Sequence, residues 1–234
     1  MKRIKPATGE IYHAYNRGVE KRVVFLENFD YLRFIHDLYE FNDSDPSPKL
    51  YIPAQFSEVR LPKIMENMEK KPRKLLVEIL AFCLMPNHFH ILLKQKIDGG
   101  ISQFMQKLGT GYTNYFNQKY TRVGSLFQGK YKAVHIVQEN HFLHLPYYIH
   151  LNPLDLVTPE WRDRKIKNLD ESLNFLKKYK WSSYLDYIGI KNFPSITQRD
   201  FLLKFFDDHK NYQVEITKWL KELNLDQIND LILE

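Results

Sequence analysis

The chain predicts a fold of mixed strands and helices that ends in a helical tail. Three observations carry this. Apolar runs at 75–84 and 88–94 flank a single proline, Pro86. Two long segments, 25–41 and 99–120, read as helices, and beyond Trp161 the chain turns charged and helical.

Glu10–Arg17 reads as the first strand, ended by Gly18. Phe25 to Phe41 reads as an amphipathic helix, because Phe25, Phe29, Leu32, Ile35, Leu38 and Tyr39 recur at helical spacing. Asn42 to Pro62 is polar and carries Pro46, Pro48 and Pro53, the mark of a surface excursion. The basic run Lys70-Lys71-Pro72-Arg73-Lys74 precedes the next strand and reads as a solvated face. Pro86 allows a turn or bulge between the two apolar runs but no uninterrupted central strand. Gly109 and Gly111 sit inside the second helix and weaken it by about 1 kcal/mol each unless close packing requires them. Val123 to Val137 reads as a loop and a further strand, and Asn140 to Leu151 as a helix stopped by Pro153. In the tail, a capped helix follows Thr197, and others lie near 212–223 and 226–233. The expected organisation is a domain over 1–190, with a surface insertion near 42–74, and a helical extension over 191–234.

The 234 residues are 44% hydrophobic and 15% aromatic, enough for a substantial core. No apolar run approaches the roughly 20 residues of a membrane helix. The basic start lacks an apolar segment behind it, so no signal peptide is expected. Cys83 is the only cysteine, which rules out an intrachain disulfide and suggests a cytoplasmic setting. The net charge is +6 and the pI about 9.1. From Ile101 to Gln138 there is no Asp or Glu, while Lys107, Lys119, Arg122, Lys130 and Lys132 alternate with seven Phe and Tyr residues. Cations that track phosphates and rings that stack on bases suit single-stranded nucleic acid. A helix with an aromatic core face and solvated lysines is the competing reading.

His88 and His90 stand two apart in an apolar run, so on a strand they share a face, with Phe89 on the other. Two readings weigh evenly: hydrogen-bonded core histidines or a pair of metal ligands. Tyr148 and Asn152 stand four apart and share a helix face. A tyrosine oxygen is a possible nucleophile and an asparagine oxygen a possible ligand to a hard metal. Taken alone, an aromatic packing helix closed by Asn152 is the stronger reading. Tyr147 and His150 point off that face. Tyr112, Tyr115 and Tyr120 are alternative nucleophiles that read better as stacking or core residues, and His13 reads as a hydrogen-bonded sheet histidine. No His-Glu-x-x-His motif or carboxylate cluster supports a hydrolase of another class.

In this order along the chain, Tyr12-His13-Ala14-Tyr15-Asn16-Arg17-Gly18, Met85-Pro86-Asn87-His88-Phe89-His90-Ile91-Leu92-Leu93, the segment from Gly124 to Lys132, Tyr148-Ile149-His150-Leu151-Asn152-Pro153 and Trp181-Ser182-Ser183-Tyr184 resemble the single-tyrosine HUH transposases, and more closely the REP-associated tyrosine transposases. The resemblance covers about 11–187. It implies an α+β fold with a ferredoxin-like antiparallel sheet and helices on one face. It implies a Mg²⁺ or Mn²⁺ ion held by His88 and His90, with Asn152 third where related transposases carry glutamine. Tyr148 would attack a phosphate of single-stranded, hairpin-bearing DNA, leaving a 5′-phosphotyrosine and a free 3′-hydroxyl. Asn16, Arg17, Lys119, Arg122, Gln128, Lys130 and Lys132 would meet the DNA. The expected setting is the bacterial cytoplasm, on the nucleoid when DNA is bound, with no membrane partner. A homodimer is one option for assembly, since smaller relatives are dimers and longer ones can be monomers. The alternative function is a domesticated protein that grips DNA or RNA hairpins without cutting.

Overall fold

The structure is a computed structural model that describes residues 5–45, 73–163 and 165–222. Most of the expected insertion near 42–74 and the expected helix at 226–233 fall outside the described residues. Four strands, β1 (Ile11–Arg17), β2 (Val77–Met85), β3 (His88–Gln95) and β4 (Lys132–His135), form one sheet in the order β2-β3-β1-β4. Every neighbouring pair is antiparallel. Helix α1 (Asn28–Glu40) links β1 to β2, and α2 (Gly100–Lys119) links β3 to β4. The β-α-β-β-α-β order with this strand arrangement is ferredoxin-like α+β. Pro86 and Asn87 form the short turn between β2 and β3, so the proline sits where no ladder bond is needed.

Side-chain alternation sorts the sheet into two faces. Tyr12, Ala14, Phe89, Ile91 and Leu93 pack with α1 and α2. An irregularity between Ile79 and Ala81 resets β2, so Ile79, Phe82 and Leu84 join that layer while Leu80, Ala81, Cys83 and Met85 face the other way. This opposite face is covered by α3 (Glu139–Leu151), through Leu145, Tyr148, Ile149 and Leu151, and by residues from the tail. Helices thus cover both faces rather than one. The central strands are apolar on both sides, and only a second layer removes that surface from water.

Beyond α3 the chain continues through two 3₁₀ turns, Asn152–Leu156 and Pro159–Asp163, then α4 (Leu169–Leu176), α5 (Tyr184–Tyr187), α6 (Asp200–Leu203) and α7 (His209–Glu222). Trp181 to Ser183 runs along the outer edge of β2: Leu84 N–H donates to the Trp181 carbonyl and Ser183 N–H to that of Phe82. The motif segment at Trp181 therefore closes a sheet edge. Leu202, Phe206, Tyr212, Ile216 and Trp219 of the tail share a core with Tyr147 and Tyr148. Among the described residues, no helix is long and apolar enough to cross a membrane.

Candidate active site

β3 is a central strand, and His88 and His90 project from its α3-facing side, opposite Phe89. The cross-strand partners of His90 and His88 on β1 are Tyr15 and Arg17. His13, on the same face of β1, brings Nε2 to 2.9 Å from His90 Nδ1. His88 Nδ1 lies 2.6 Å from Asn87 Oδ1. The two imidazoles meet edge to face at 5.0 Å between centroids. Burial pushes His88 down to about 4, aided by the charges of Arg17 and Arg162. Burial, then the neighbouring His88 and His13, push His90 well below the usual histidine range. Both rings are therefore neutral at pH 7, the state in which imidazole is a metal ligand.

Tyr148 reaches the same place from α3. Its ring meets His90 edge to face at 5.7 Å. Asn152, one turn on, donates Nδ2 to the Tyr148 carbonyl at 2.8 Å, which leaves its Oδ1 facing the site. Arg162, from the second 3₁₀ turn, donates Nη1 to Tyr148 Oη and Nη2 to Asn152 Oδ1, both at 3.3 Å. Asp155 holds the guanidinium in a fork, at 2.9 Å from Nε and 2.7 Å from Nη2. Trp161 Nε1 also donates to Asp155, at 2.7 Å. Burial raises the Tyr148 phenol above its ordinary value, and Arg162 opposes that rise.

The donor set fits a divalent ion. His90 Nε2 is buried and has no hydrogen-bond partner, which is costly unless something outside the protein is to take it. Asn152 interacts with His88 as well as with Arg162, so two imidazoles and an amide oxygen converge. Among the described residues, no three His, Cys, Asp or Glu side chains cluster as a metal site. The oxygen beside the two histidines that could complete such a set is Asn152 Oδ1, which here accepts from Arg162.

The other candidates separate clearly. Tyr147 packs against Phe206, Tyr212 and Trp219. His150 is fully buried and bonded to Tyr212 Oη at 2.6 Å and Ser183 Oγ at 2.7 Å, as a packing residue is. Tyr112, Tyr115 and Tyr120 lie on the far side of the sheet, with Tyr112 Oη donating to the Val24 carbonyl and the other two to Asp30.

The expected DNA contacts divide between the two faces. Lys119 is turned inward: its ammonium binds Asp30 at 2.7 Å and also Glu27, and its side chain is 14% exposed. Burial alone would lower its pKa, but the hydrogen bonds to Asp30 and Glu27 hold it above the ordinary lysine value. That charge faces the protein's own carboxylates. Arg122 donates to Asn117 Oδ1 at 2.8 Å and lies over Phe116. Arg73 is similarly drawn inward, over the Tyr39 ring. Gln128, Lys130 and Lys132 are exposed. Lys132 stands across from Tyr15, with its ammonium 5.9 Å from that ring, on the His90 side. Arg17 is on that side too. Asn16 faces the other way, donating to the Gly129 carbonyl at 3.2 Å. With Lys130 and Tyr131 it lines an open groove of about 610 Å³, walled by Ser102, Gln106 and Thr113 of α2.

Residues 54–152 match the family model for IS200-like transposases. That segment, under half of the chain, is similar to IS200-like transposase sequence. The matched segment contains β2, β3, α2, β4 and α3, and so holds His88, His90, Tyr148 and Asn152. Transposase-type DNA processing is the class of activity that goes with this family. Among solved structures, "Structure of the REP associates tyrosine transposase bound to a REP hairpin" aligns over 83% of this chain and 88% of that one, at 13% identity and a TM-score of 0.47. No curated protein matches the chain. Arg162 and Asp155 lie outside the matched segment, and reading the sequence for motifs missed both.

Proposed function

We propose that this transposase-like chain cleaves and rejoins single-stranded DNA next to a hairpin through a covalent bond to Tyr148. The observation that carries the reading is the convergence of Tyr148, His90, Asn152 and an unpartnered His90 Nε2 in one buried cluster. His88, His90 and Asn152 would hold Mg²⁺ or Mn²⁺, which supplies Lewis-acid polarisation of a phosphate when bound. Tyr148 Oη attacks phosphorus, the P–Oη bond forms and the P–O3′ bond breaks. The tyrosine gives up its proton and the departing 3′-oxygen takes one up. The phosphotyrosine conserves the energy of the phosphodiester, so rejoining needs no nucleotide. Arg17 and Lys132, on the same face, and Gln128 beside them are the proposed DNA contacts, with Asn16 and Lys130 reaching DNA from the groove side. The proposed catalytic unit is 1–190. The tail completes its second core.

The test is labelled hairpin DNA from the flanks of the gene, incubated with Mn²⁺ and either the parent protein or Tyr148→Phe. The parent forms an adduct that resists denaturation, and mapping the modified peptide gives residue 148. An adduct with Tyr148→Phe sinks the reading. One observation favours a second reading, a hairpin-binding protein that does not cut: Tyr148 is 0% exposed. Tight hairpin binding with no cleavage under any divalent metal selects it.

A further inference from the structure

Arg162 is built into the site more firmly than an incidental surface cation. One edge of its guanidinium is fixed by Asp155 at 2.7 and 2.9 Å, and Asp155 is in turn fixed by Trp161. The guanidinium carbon lies 4.8 Å from the Trp161 ring and 5.2 Å from that of Tyr148. Its remaining contacts, to Tyr148 Oη and Asn152 Oδ1, are the long ones at 3.3 Å. Short bonds hold the group and long ones are easily exchanged. The side chain is 28% exposed while Tyr148 is fully covered, so a ligand entering from solvent meets Arg162 before it meets the phenol.

We propose that Arg162 is a further catalytic residue, whose guanidinium edge facing Tyr148 and Asn152 binds a non-bridging oxygen of the phosphate that Tyr148 attacks. This rests on Tyr148 being the nucleophile. When Oη bonds to phosphorus, the non-bridging oxygens lie closer to Oη than a hydrogen-bond length. A donor already 3.3 Å from Oη is then within reach of them. The phosphate takes over the edge now turned to Tyr148 and Asn152, which uncovers the phenol and frees Asn152 Oδ1. Arg162 transfers no proton, because a guanidinium stays charged throughout. It contributes positive charge where the pentacoordinate phosphorus concentrates negative charge. Asp155 keeps the planar fork in register, a task a lysine does less well. Arginines in this role accelerate phosphoryl transfer by about 10³ to 10⁵. Partial neutralisation by Asp155 argues for about 10² to 10³ here.

The test uses two hairpin oligonucleotides that differ only at the mapped cleavage position, one with a phosphodiester and one with an uncharged methylphosphonate. Binding is measured without metal, in EDTA, on Tyr148→Phe protein. Protein with Arg162 prefers the phosphodiester by about tenfold, and adding Arg162→Gln reduces that to about twofold or less. In single-turnover cleavage with Mn²⁺, Arg162→Gln alone slows the rate by about 100-fold or more, and Arg162→Lys recovers part of it. Undiminished discrimination, or a parental cleavage rate, in Arg162→Gln overturns the proposal. Should that variant fail to fold, Arg162→Lys decides: a rate reduced by about tenfold supports the role and a parental rate overturns it. If Tyr148→Phe still cleaves, the functional reading fails. If Tyr148→Phe is inert and Arg162→Gln cleaves normally, only the role of Arg162 fails.

Discussion

His13 Nε2 sits 2.9 Å from His90 Nδ1, across the β1–β3 pair. With His90 Nδ1 as the donor, Nε2 keeps its lone pair and points, unpartnered, into the site. His13 then sets the tautomer of the proposed ligand. His13→Ala is expected to weaken Mn²⁺ binding by about 10- to 100-fold, as loss of a ligand's hydrogen-bond partner does. His13→Gln, with a carbonyl that accepts, retains more of it. Titration calorimetry with Mn²⁺ and no DNA reads both. Equal affinities for parent and His13→Ala would remove His13 from the site.

Lys119 and the exposed lysines are expected to behave oppositely. Lys119→Met leaves Asp30 buried without its cation, and breaking such a pair costs about 3–5 kcal/mol. It should leave the salt dependence of hairpin binding unchanged. Lys130→Gln and Lys132→Gln should preserve stability while each lowers the slope of log K against log salt by about one. Denaturant unfolding and salt titrations check this. A Lys119→Met protein of normal stability and a shallower salt slope would make Lys119 a DNA contact.

Two glycines in α2 carry opposite expectations. A Cβ at Gly111 would collide with the Phe41 ring, with Phe41 Cζ 2.6 Å away, so Gly111→Ala destabilises by about 1–3 kcal/mol. A Cβ at Gly109 meets nothing within 4 Å. Gly109→Ala therefore gains about 0.5–1 kcal/mol of helix propensity. Thermal melts of the two variants should move in opposite directions.

Acid should act through buried histidines. Burial holds His150 down to about 3 and His88 down to about 4. Below about pH 6.5 the unfolded chain takes up protons that the folded chain refuses. Stability conferred by these neutral rings is complete above that pH and is lost as pH falls toward the folded values. Each histidine contributes about 1.4 kcal/mol per pH unit within that window. His150→Gln should reduce the pH slope of the unfolding free energy between pH 6 and 4.5 by about one proton. An unchanged slope would mean that His150 is protonated in the folded state.

The sequence was readable where a period or a turn residue does the work. Alternation put His88 and His90 on one face, and a four-residue step joined Tyr148 to Asn152. Pro86 marked the hairpin. Arg162 obeys no such spacing: it arrives because two 3₁₀ turns fold the chain back after Pro153, and no local pattern encodes that return. The ion pairs of Lys119 were hidden for a related reason. The acid-free stretch at 101–138 concerns neighbours in sequence, whereas Glu27 and Asp30 are neighbours in space, supplied by α1 and the residue before it. The second helical layer was likewise hidden, since continuous apolar strands reveal burial on both faces but not what buries them.

His150 has one further consequence. One side of its ring is tied to Ser183 on the strip that closes the sheet, and the other to Tyr212 in the tail, two residues from Tyr148 on the same helix. One buried ring thus ties the tail and the sheet-edge strip to the helix that carries Tyr148. The helix that presents Tyr148 to the histidine strand is thereby backed by a segment 62 residues further along the chain from His150.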